Sequence, residues 1–505
     1  MAFTFWHLAN IVTNPLFFNR IYIYFDKDLM YPMRKISILK LSLCITLFGV
    51  NLGYAQHKRQ SYESIAVKVQ MNFNANQPDQ IYFLTSPGFQ KKMTSEQFTI
   101  GMSKFHAKVG DWTSYEFKDE NETGVDYLAV FENSRQIFSL KIDEQGKISR
   151  LNFATVPVVI AEKSSRAASN NLLKDSLDLW VERVVRPYIQ KGNTCGLELA
   201  FIHNGQVRKY SYGSVKKTVD QLPDAANTIF EIGSVTKTFN ALLLAEEVVS
   251  GRMKLTDPIN LYLPDSIPEL SFQSKPITLQ HLVNHTSGFP RLPSNIFKGK
   301  IDPKDPYKHY LSDSLYSFLR HYKPAIMPGT VFSYSNYGAG VLGTILERKY
   351  GNSFEQLIVS RICDPLDMRN TSVTLNDANQ KNFAQGYNEI GETTVPWELA
   401  SLKGSGAIRS TLDDMVKYTC AQMEMRGPLK KAIALSHQST FEGRNQSMGL
   451  GWRITKSGPN SYLHHSGGTG GFRSFVGFDV ERKIGIVILS NAAEDVTTIG
   501  EGFLR

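Results

Sequence analysis

The stretch FEIGSVTKTFNALLLAEEVVSG, residues 230–251, places a serine and a lysine at the start of an apolar run. The run is typical of a buried helix, and Gly251 suits the position just beyond its end. Ser234 and Lys237 are three residues apart and therefore lie on one helix face. A serine hydroxyl needs a nearby base, and burial can lower a lysine pKa into that role. The stretch predicts an activated nucleophile, although a capping serine followed by a solvated lysine would look the same.

A second motif follows about 100 residues later, in MPGTVFSYSNYG, residues 327–338. Tyr334 and Asn336 flank one residue in a loop that leads into a helix predicted to begin near Tyr337. A phenol can shuttle a proton and an amide can bind a substrate carbonyl. The alternative is an Asn that caps the helix among packed tyrosines.

A third motif, HHSGGTGGFR, spans residues 464–473 and joins a strand edge to a glycine-rich stretch. Glycines let a substrate approach the backbone, whose N–H groups can then bind an oxyanion. Neighbouring strand residues face opposite ways, so only one of His464 and His465 can line a cleft. A dinucleotide-binding GxGxxG loop is excluded because Arg473 stands where its last glycine should be.

Together the three motifs resemble those of the serine β-lactamase and DD-peptidase superfamily, in its class C-like branch. Ser234-x-x-Lys237 matches SxxK, Tyr334-x-Asn336 matches YxN, and residues 465–467 match (K/H)TG. The segments LVNHTSG and GSGAIRST also resemble segments of that branch. The resemblance covers about residues 175–505. It implies an α+β, class C β-lactamase-like fold, with an antiparallel sheet flanked by helices and an all-helical lobe.

The resemblance also implies roles for individual residues. Ser234 would attack an acyl carbonyl, with Lys237 and Tyr334 as the proton-transfer pair; which of the two is the general base stays open. Substrate would be bound by Asn336, His465, Ser466 and Gly468, and the backbone N–H groups of Ser234 and Gly468 would form the oxyanion hole. His465 stands where class C β-lactamases usually have Lys, and it is only partly charged at pH 7.

The pattern of the remaining chain predicts two folded parts. Residues 56–158 show helical spacing and then alternating strands, which predicts a small α+β domain that resembles the cone-shaped NTF2-like class. Residues 159–172 are small and polar and predict a linker. Residues 173–505 form the hydrolase block, which opens and closes with predicted hairpins at 197–212 and 475–489. Strands at both ends of the block can pair in one sheet.

The first 55 residues predict export. Residues 33–55 combine basic residues, a short apolar core and Gly53-Tyr54-Ala55 before a cut at Gln56, which is typical of a signal peptide. Residues 1–32 are interpreted as an over-called start, with a second membrane-associating segment as the alternative. The expected mature protein is secreted or periplasmic and has no stable membrane span, because no later apolar run reaches about 20 residues.

Composition excludes several other classes. Of the 505 residues, 42% are hydrophobic and 20% charged, which is globular composition. The net charge of +9 is concentrated near the start, since residues 1–60 hold seven basic and two acidic residues, so no nucleic-acid partner is predicted. Neither CxxC nor HExxH occurs, and we expect no metal and no cofactor. Four cysteines are too few for a disulfide-based scaffold.

These observations predict a secreted serine hydrolase that forms an acyl-enzyme with a peptide of the D-Ala-D-Ala type or with an ester. The first alternative is a true class C-like β-lactamase. The second is a penicillin-binding sensor that is acylated without turnover. The expected partner is a small-molecule or peptidoglycan-type peptide or ester substrate, and the sequence leaves the oligomeric state open.

Overall fold

The computed structural model describes residues 59–131, 134–156, 160–296, 302, 304–443 and 447–505. The predicted signal peptide (33–55) and the over-called start (1–32) lie outside the described residues. Among the described helices, none is both long and apolar enough to cross a membrane. Cys195, Cys363 and Cys420 are free thiols.

The N-terminal part contains helices followed by a four-stranded sheet, in the order that the pattern predicts. The helices are α1 (residues 59–74), α2 (Pro78–Phe83), α3 (Pro87–Gln90) and α4 (Ser95–Val109). The antiparallel strands, paired in chain order, are β1 (Trp112–Asn121), β2 (Gly124–Phe131), β3 (Arg135–Ile142) and β4 (Ile148–Thr155). Alternate residues of β2 are buried, as a sheet with one covered face requires.

A second, eight-stranded antiparallel sheet organises the rest of the chain, in the order β11-β12-β13-β14-β15-β16-β5-β6. Val487 of β16 pairs with Ala200 of β5, so the predicted pairing of the first and last hairpins is confirmed. The strands of this sheet are β5 (Gly196–His203), β6 (Gln206–Gly213), β11 (Phe441–Glu442), β12 (Ser447–Met448), β13 (Arg453–Ser457), β14 (Asn460–Gly468), β15 (Arg473–Asp479) and β16 (Ile484–Ser490). Two two-residue pairs lie outside it: β7 (Phe230–Glu231) with β10 (Arg409–Ser410), and β8 (Ser271–Phe272) with β9 (Lys275–Pro276).

The two faces of the large sheet are covered by different helices. Ile486 and Ile488 pack in a cluster with α5 and α14, whereas Val487 and Leu489 face the larger core built with the other helices. The helices of this part are α5 (Ser176–Ile189), α6 (Thr236–Val249), α7 (Leu279–Val283), α8 (Ser312–His321), α9 (Asn336–Tyr350), α10 (Phe354–Ile358), α11 (Asp377–Gln380), α12 (Leu412–Glu424), α13 (Lys430–His437) and α14 (Thr497–Gly502). The pairing of β13 with β14 ends at His464, so residues 465–468 form a free edge of the sheet that borders a cleft.

The predicted helix of residues 230–251 forms as α6. It ends at Val249, and Gly251 adopts a φ of +71°, a left-handed conformation that glycine adopts without a side-chain clash. Eleven of its fourteen residues are buried, which explains why the run is apolar almost all round. Because α6 is buried, its first turn and the preceding Ser234 are held in place by the protein interior.

Candidate active site

Ser234 lies in a short 3₁₀ turn, Gly233–Val235, that runs directly into α6. The side chain of Lys237, one turn further, returns to it: Lys237 Nζ lies 3.0 Å from Ser234 Oγ. Lys237 is 3% exposed, whereas Ser234 is half-buried. The predicted pair is thus assembled, with the lysine enclosed and the hydroxyl open to the cleft.

Two carbonyl oxygens hold the lysine in place. Lys237 Nζ donates to Asn336 Oδ1 at 2.9 Å and to the backbone carbonyl of Ser405 at 2.6 Å. A carbonyl can only accept, so these contacts use two N–H bonds, and the third position of the nitrogen faces both Ser234 Oγ and the Tyr334 phenol. That position holds an N–H when the lysine is charged and a lone pair when it is neutral. Both arrangements leave the lysine ready to exchange a proton with the serine.

Tyr334 completes the group from the loop before α9. Its ring centroid lies 4.9 Å from Lys237 Nζ. Burial alone would raise the pKa of Tyr334, but the charge of Lys237 and hydrogen bonds from Lys237 and Ser234 outweigh it and lower the pKa from 10.0. Burial also lowers the pKa of Lys237 from 10.5, against the opposing effect of Tyr334. The two groups interact so closely that their titration belongs to the pair.

The start of α9 explains how Asn336 reaches the lysine. The helix begins at Asn336 itself, one residue earlier than the sequence predicts, and its capping residue is Ser335, whose Oγ accepts from the N–H of Gly338 at 2.8 Å. The alternative in which Asn336 serves as the cap is therefore wrong. With Ser335 in that role, the Asn336 amide is available to Lys237 and the cleft.

On the opposite wall, β14 presents His465 to the cleft, whereas His464 lies on the other face. His464 Nε2 bonds Thr455 Oγ1 at 3.0 Å, and its ring stacks on Phe475 at 5.7 Å. The prediction that only one of the two lines the cleft is confirmed.

His465 is neutral in this setting. It is 2% exposed, and burial, with the charges of Lys237 and Arg453, holds its pKa well below 6.5. Its Nδ1 lies 2.8 Å from the carbonyl oxygen of Ser466, so Nδ1 carries the proton and Nε2 carries a lone pair. Class C β-lactamases usually have a lysine at this position. In this protein the unprotonated Nε2 of His465 offers a hydrogen-bond acceptor there instead.

The nucleophile turn and the edge of β14 meet through backbone atoms. A Cβ on Gly467 would lie 2.0 Å from the carbonyl oxygen of Ile232, and one on Gly233 would lie 2.6 Å from the nitrogen of Gly468. Gly233 also has a φ of +49°. Ser474 Oγ donates to the same Ile232 carbonyl at 2.7 Å. Two glycines therefore let the nucleophile turn lie directly on the edge of β14, with the backbone of Gly468 beside it.

The cleft encloses about 1330 Å³, and every predicted site residue except Lys237, which lies buried beneath Ser234, lines it: Ser234, Tyr334, Asn336, His465, Ser466 and Gly468. Among the described residues no cluster of three or more His, Cys, Asp or Glu side chains is arranged to hold a metal ion.

Three further residues belong to this site and were not assigned a role by sequence. The Ser405 carbonyl holds Lys237, and a backbone acceptor leaves no trace in the side-chain pattern. His285, in the segment LVNHTSG (residues 282–288), packs its ring 4.4 Å from that of Tyr334. Its Nδ1 accepts a hydrogen bond from the backbone N–H of Ser335. Arg291 places its guanidinium 5.0 Å from the Tyr334 ring centroid, and only its proximity to that segment could have indicated it.

A sheet between helices, with a serine, a lysine and a tyrosine converging in a cleft, defines a class of serine hydrolases that work through an acyl-enzyme. The sequence model described as Beta-lactamase matches residues 181–499. The chain belongs to the Beta-lactamase family.

Individual relatives agree with this assignment. The chain is 28% identical over 345 residues to a Beta-lactamase of Pseudomonas fluorescens, a match that covers 62% of this chain and 92% of that protein. It also superposes on a class C beta-lactamase with a TM-score of 0.58 and 25% identity, over 66% of this chain and 97% of that one. A Beta-Lactamase/D-Alanine Carboxypeptidase from Pseudomonas syringae superposes with a TM-score of 0.57 and 25% identity, over 65% and 97%. The class C β-lactamase-like fold predicted from the sequence is confirmed.

Proposed function

We propose that this chain is a secreted serine hydrolase that acts on a peptide of the D-Ala-D-Ala type or on an ester, through an acyl-enzyme. The observation that carries the proposal is the 3.0 Å approach of Lys237 Nζ to Ser234 Oγ, with the Tyr334 phenol beside them. A hydroxyl so placed can lose its proton to the Lys237–Tyr334 pair as it attacks.

In the first half-reaction Ser234 Oγ bonds to the substrate carbonyl carbon while its proton passes to the Lys237–Tyr334 pair. The oxyanion is bound by the backbone N–H groups of Ser234 and Gly468, and the Asn336 amide holds the acyl amide of the substrate. The tetrahedral species collapses, and the amine or alcohol leaves with the proton from the pair. In the second half-reaction water attacks the acyl carbonyl carbon and its proton passes to the same pair. The bond between that carbon and Ser234 Oγ then breaks, the pair returns the proton to Oγ, and the carboxylic acid leaves.

The choice of a peptide or ester rests on His465. A neutral ring with a lone pair at Nε2 does not supply the fixed cation that favours a β-lactam carboxylate. A true β-lactamase is the second candidate, favoured by the name of the Pseudomonas fluorescens relative. The Pseudomonas syringae neighbour is named for both activities.

The decisive experiment compares Ser234→Ala with the unchanged full chain. We expect the substitution to abolish covalent labelling by a fluorophosphonate or a penicillin and to leave the thermal unfolding transition in place. Ser360→Ala, at an exposed serine whose Oγ bonds the Gln356 carbonyl, is the matched control and should label fully. Full labelling of Ser234→Ala would remove Ser234 from its role.

Three substrates then separate the candidate activities: nitrocefin, a D-Ala-D-Ala peptide and p-nitrophenyl butyrate. We expect turnover of the peptide or the ester to exceed that of nitrocefin. Faster turnover of nitrocefin would favour the β-lactamase, and stoichiometric labelling without turnover of any substrate would identify the sensor.

Export is the remaining part of the proposal, and it rests on the sequence of residues 33–55. N-terminal sequencing of the protein recovered from the periplasm or medium should begin at Gln56. Recovery of a chain that retains residues before Met33 would contradict both the signal peptide and the over-called start.

A further inference from the structure

Arg291 is a cation on the wall of the cleft that the proposed chemistry does not use. Its guanidinium carbon lies 5.0 Å from the Tyr334 ring centroid, and its side chain lines the cleft. Arg291 is exposed, so its charge is open to a bound molecule. A guanidinium in this position can bind an anionic group and contact the aromatic ring at the same time.

The backbone holds Arg291 in place independently of its side chain. Its carbonyl oxygen accepts from the N–H of Asn336 at 3.0 Å and from the N–H of Tyr337 at 3.3 Å. The neighbouring Pro290 carbonyl accepts from Ser335 Oγ at 2.7 Å. The residue is thus tied to the first turn of α9, next to the amide that would hold the acyl amide of the substrate.

Five other cations line the same cavity: Lys104, Arg135, Lys304, Arg453 and Arg473. Arg473 donates to the carbonyls of Thr469 and Phe472 at 2.8 and 2.9 Å, and Arg453 lies over the Phe332 ring. For Arg291, no carboxylate pairs with the guanidinium within the part of the chain that the structure describes. Its charge therefore faces the cleft unneutralised by the protein.

We propose that Arg291 is a specificity residue that binds an anionic group, such as a carboxylate, on the acyl portion of the substrate. This inference rests on the proposed function. The two walls divide the substrate between them: Arg291 and Asn336 lie on the helical wall, whereas His465 and Ser466 lie on the sheet edge. Because Arg291 adjoins Asn336, the anion that it binds belongs to the acyl side and not to the leaving group.

Matched esters measure this preference. Mono-p-nitrophenyl glutarate carries a carboxylate on its acyl chain, p-nitrophenyl butyrate carries none, and 3-(butyryloxy)benzoate carries the carboxylate on its leaving group. For the full chain we expect kcat/KM for the glutarate, relative to the butyrate, to fall three- to tenfold in Arg291→Gln and to be largely retained in Arg291→Lys. Added salt should lower the same ratio in the unchanged protein, because an exposed charge is screened.

The ratio cancels effects that are common to both esters, and Arg320→Gln, an exposed arginine on α8 outside the cleft lining, controls for net charge. An unchanged ratio in Arg291→Gln would overturn the proposal, and a fall confined to 3-(butyryloxy)benzoate would overturn its assignment to the acyl side.

Ser234→Ala distinguishes failure of the proposed function from failure of the Arg291 inference. Hydrolysis that survives Ser234→Ala, or no hydrolysis of any ester by the unchanged chain, would overturn the proposed function and this inference with it. Hydrolysis that requires Ser234 but shows no Arg291-dependent ratio would overturn only the inference.

Discussion

The two large sheets of this protein are both antiparallel, but they bury different chemistry. The sheet of β1–β4 covers a cluster of aromatic rings: Trp112 lies 4.8 Å from Phe138, which stacks on Phe153 at 5.0 Å. The eight-stranded sheet buries polar groups as well, among them Glu198 and His465. Apolar burial stabilises a fold, whereas burial of titratable groups shifts their proton affinity. The first sheet therefore contributes mainly apolar packing, and its residues 130, 131 and 135 also line the cavity that holds Ser234, whereas the second sheet supplies the buried titratable groups.

The strongest test of this contrast is Tyr334→Phe. The substitution keeps the ring and removes the hydroxyl of the proton-accepting pair, so we expect kcat to fall by roughly 10²- to 10⁴-fold, the usual contribution of a general acid–base group. Steady-state kinetics with p-nitrophenyl butyrate measures it. Tyr322→Phe is the control, because that hydroxyl donates to the Gly288 carbonyl and not to the Ser234–Lys237 pair. A loss below tenfold would mean that the phenol is dispensable.

The matching test in the first sheet is Trp112→Ala. Trp112 is 1% exposed, and its removal leaves a cavity among Phe131 and Phe138, so we expect a loss of about 3–5 kcal/mol in the stability of this sheet. Hydrogen exchange of the β1–β4 amides measures the loss. At a temperature where the variant is folded, kcat/KM for a short ester should stay within twofold of the unchanged protein. A large fall in kcat/KM would place the first sheet in the reaction.

A charge placed on the cleft wall sharpens the comparison further. His465→Lys supplies a fixed cation for a β-lactam carboxylate, and a charge-assisted hydrogen bond of about 1.5–3 kcal/mol corresponds to a ten- to hundredfold gain for nitrocefin relative to p-nitrophenyl butyrate. The neutral His465→Gln should leave the ratio unchanged. So should His464→Lys, because His464 lies on the other face of β14. A shift in the ratio with His464→Lys would contradict the observed register.

A further expected effect is a pH dependence of stability that originates in the second sheet. Glu198 on β5 is fully buried, and burial, with smaller contributions from Asp224 and Asp413, raises its pKa to about 8 against a hydrogen bond from Ser211 and the charge of Lys209. Since the folded value lies above the ordinary 4.5, the folded protein keeps a proton that the unfolded chain releases. The stabilisation is complete below pH 4.5 and declines as the pH rises through about 8, by at most about 1.4 kcal/mol per pH unit.

Glu198→Gln removes this titration while it preserves the size of the side chain. Urea unfolding between pH 5 and 9 should show a shallower decline in the free energy of unfolding for the variant than for the unchanged protein. Parallel curves would mean that Glu198 does not carry the dependence.

The sequence predicts the local part of the site well. Ser234 and Lys237 share a helix face by spacing alone, and Tyr334 and Asn336 follow from the order of the motifs. Their convergence with Ser405 depends on long-range packing that spacing does not encode, and the Ser405 contribution is a backbone atom. Strand alternation predicts that only one of His464 and His465 faces the cleft. It does not predict which one, because the register of β14 is set by the neighbouring strands.

The fold was predictable for a related reason. Alternating strands and the terminal hairpins are short-range signals, and they locate β1–β4, β5, β6, β15 and β16. The short strands β11 and β12, of two residues each, extend the sheet at its edge and carry too little periodicity to be found. Arg291 could not be assigned either, since the significance of an exposed loop arginine depends on what lies across from it.

The glycine contact between Ile232–Gly233 and Gly467–Gly468 bears on how this protein can change over evolutionary time. Where the walls of the cleft meet, the backbone of Ile232 and Gly233 lies directly against that of Gly467 and Gly468. Substitutions such as those at positions 291 and 465 can therefore diversify the substrates that a lineage accepts while the spacing of the backbone at the serine is inherited unchanged. Positions 233 and 467 have no such latitude, and a saturation library should tolerate substitutions at 291 and 465 before it tolerates an alanine at either glycine.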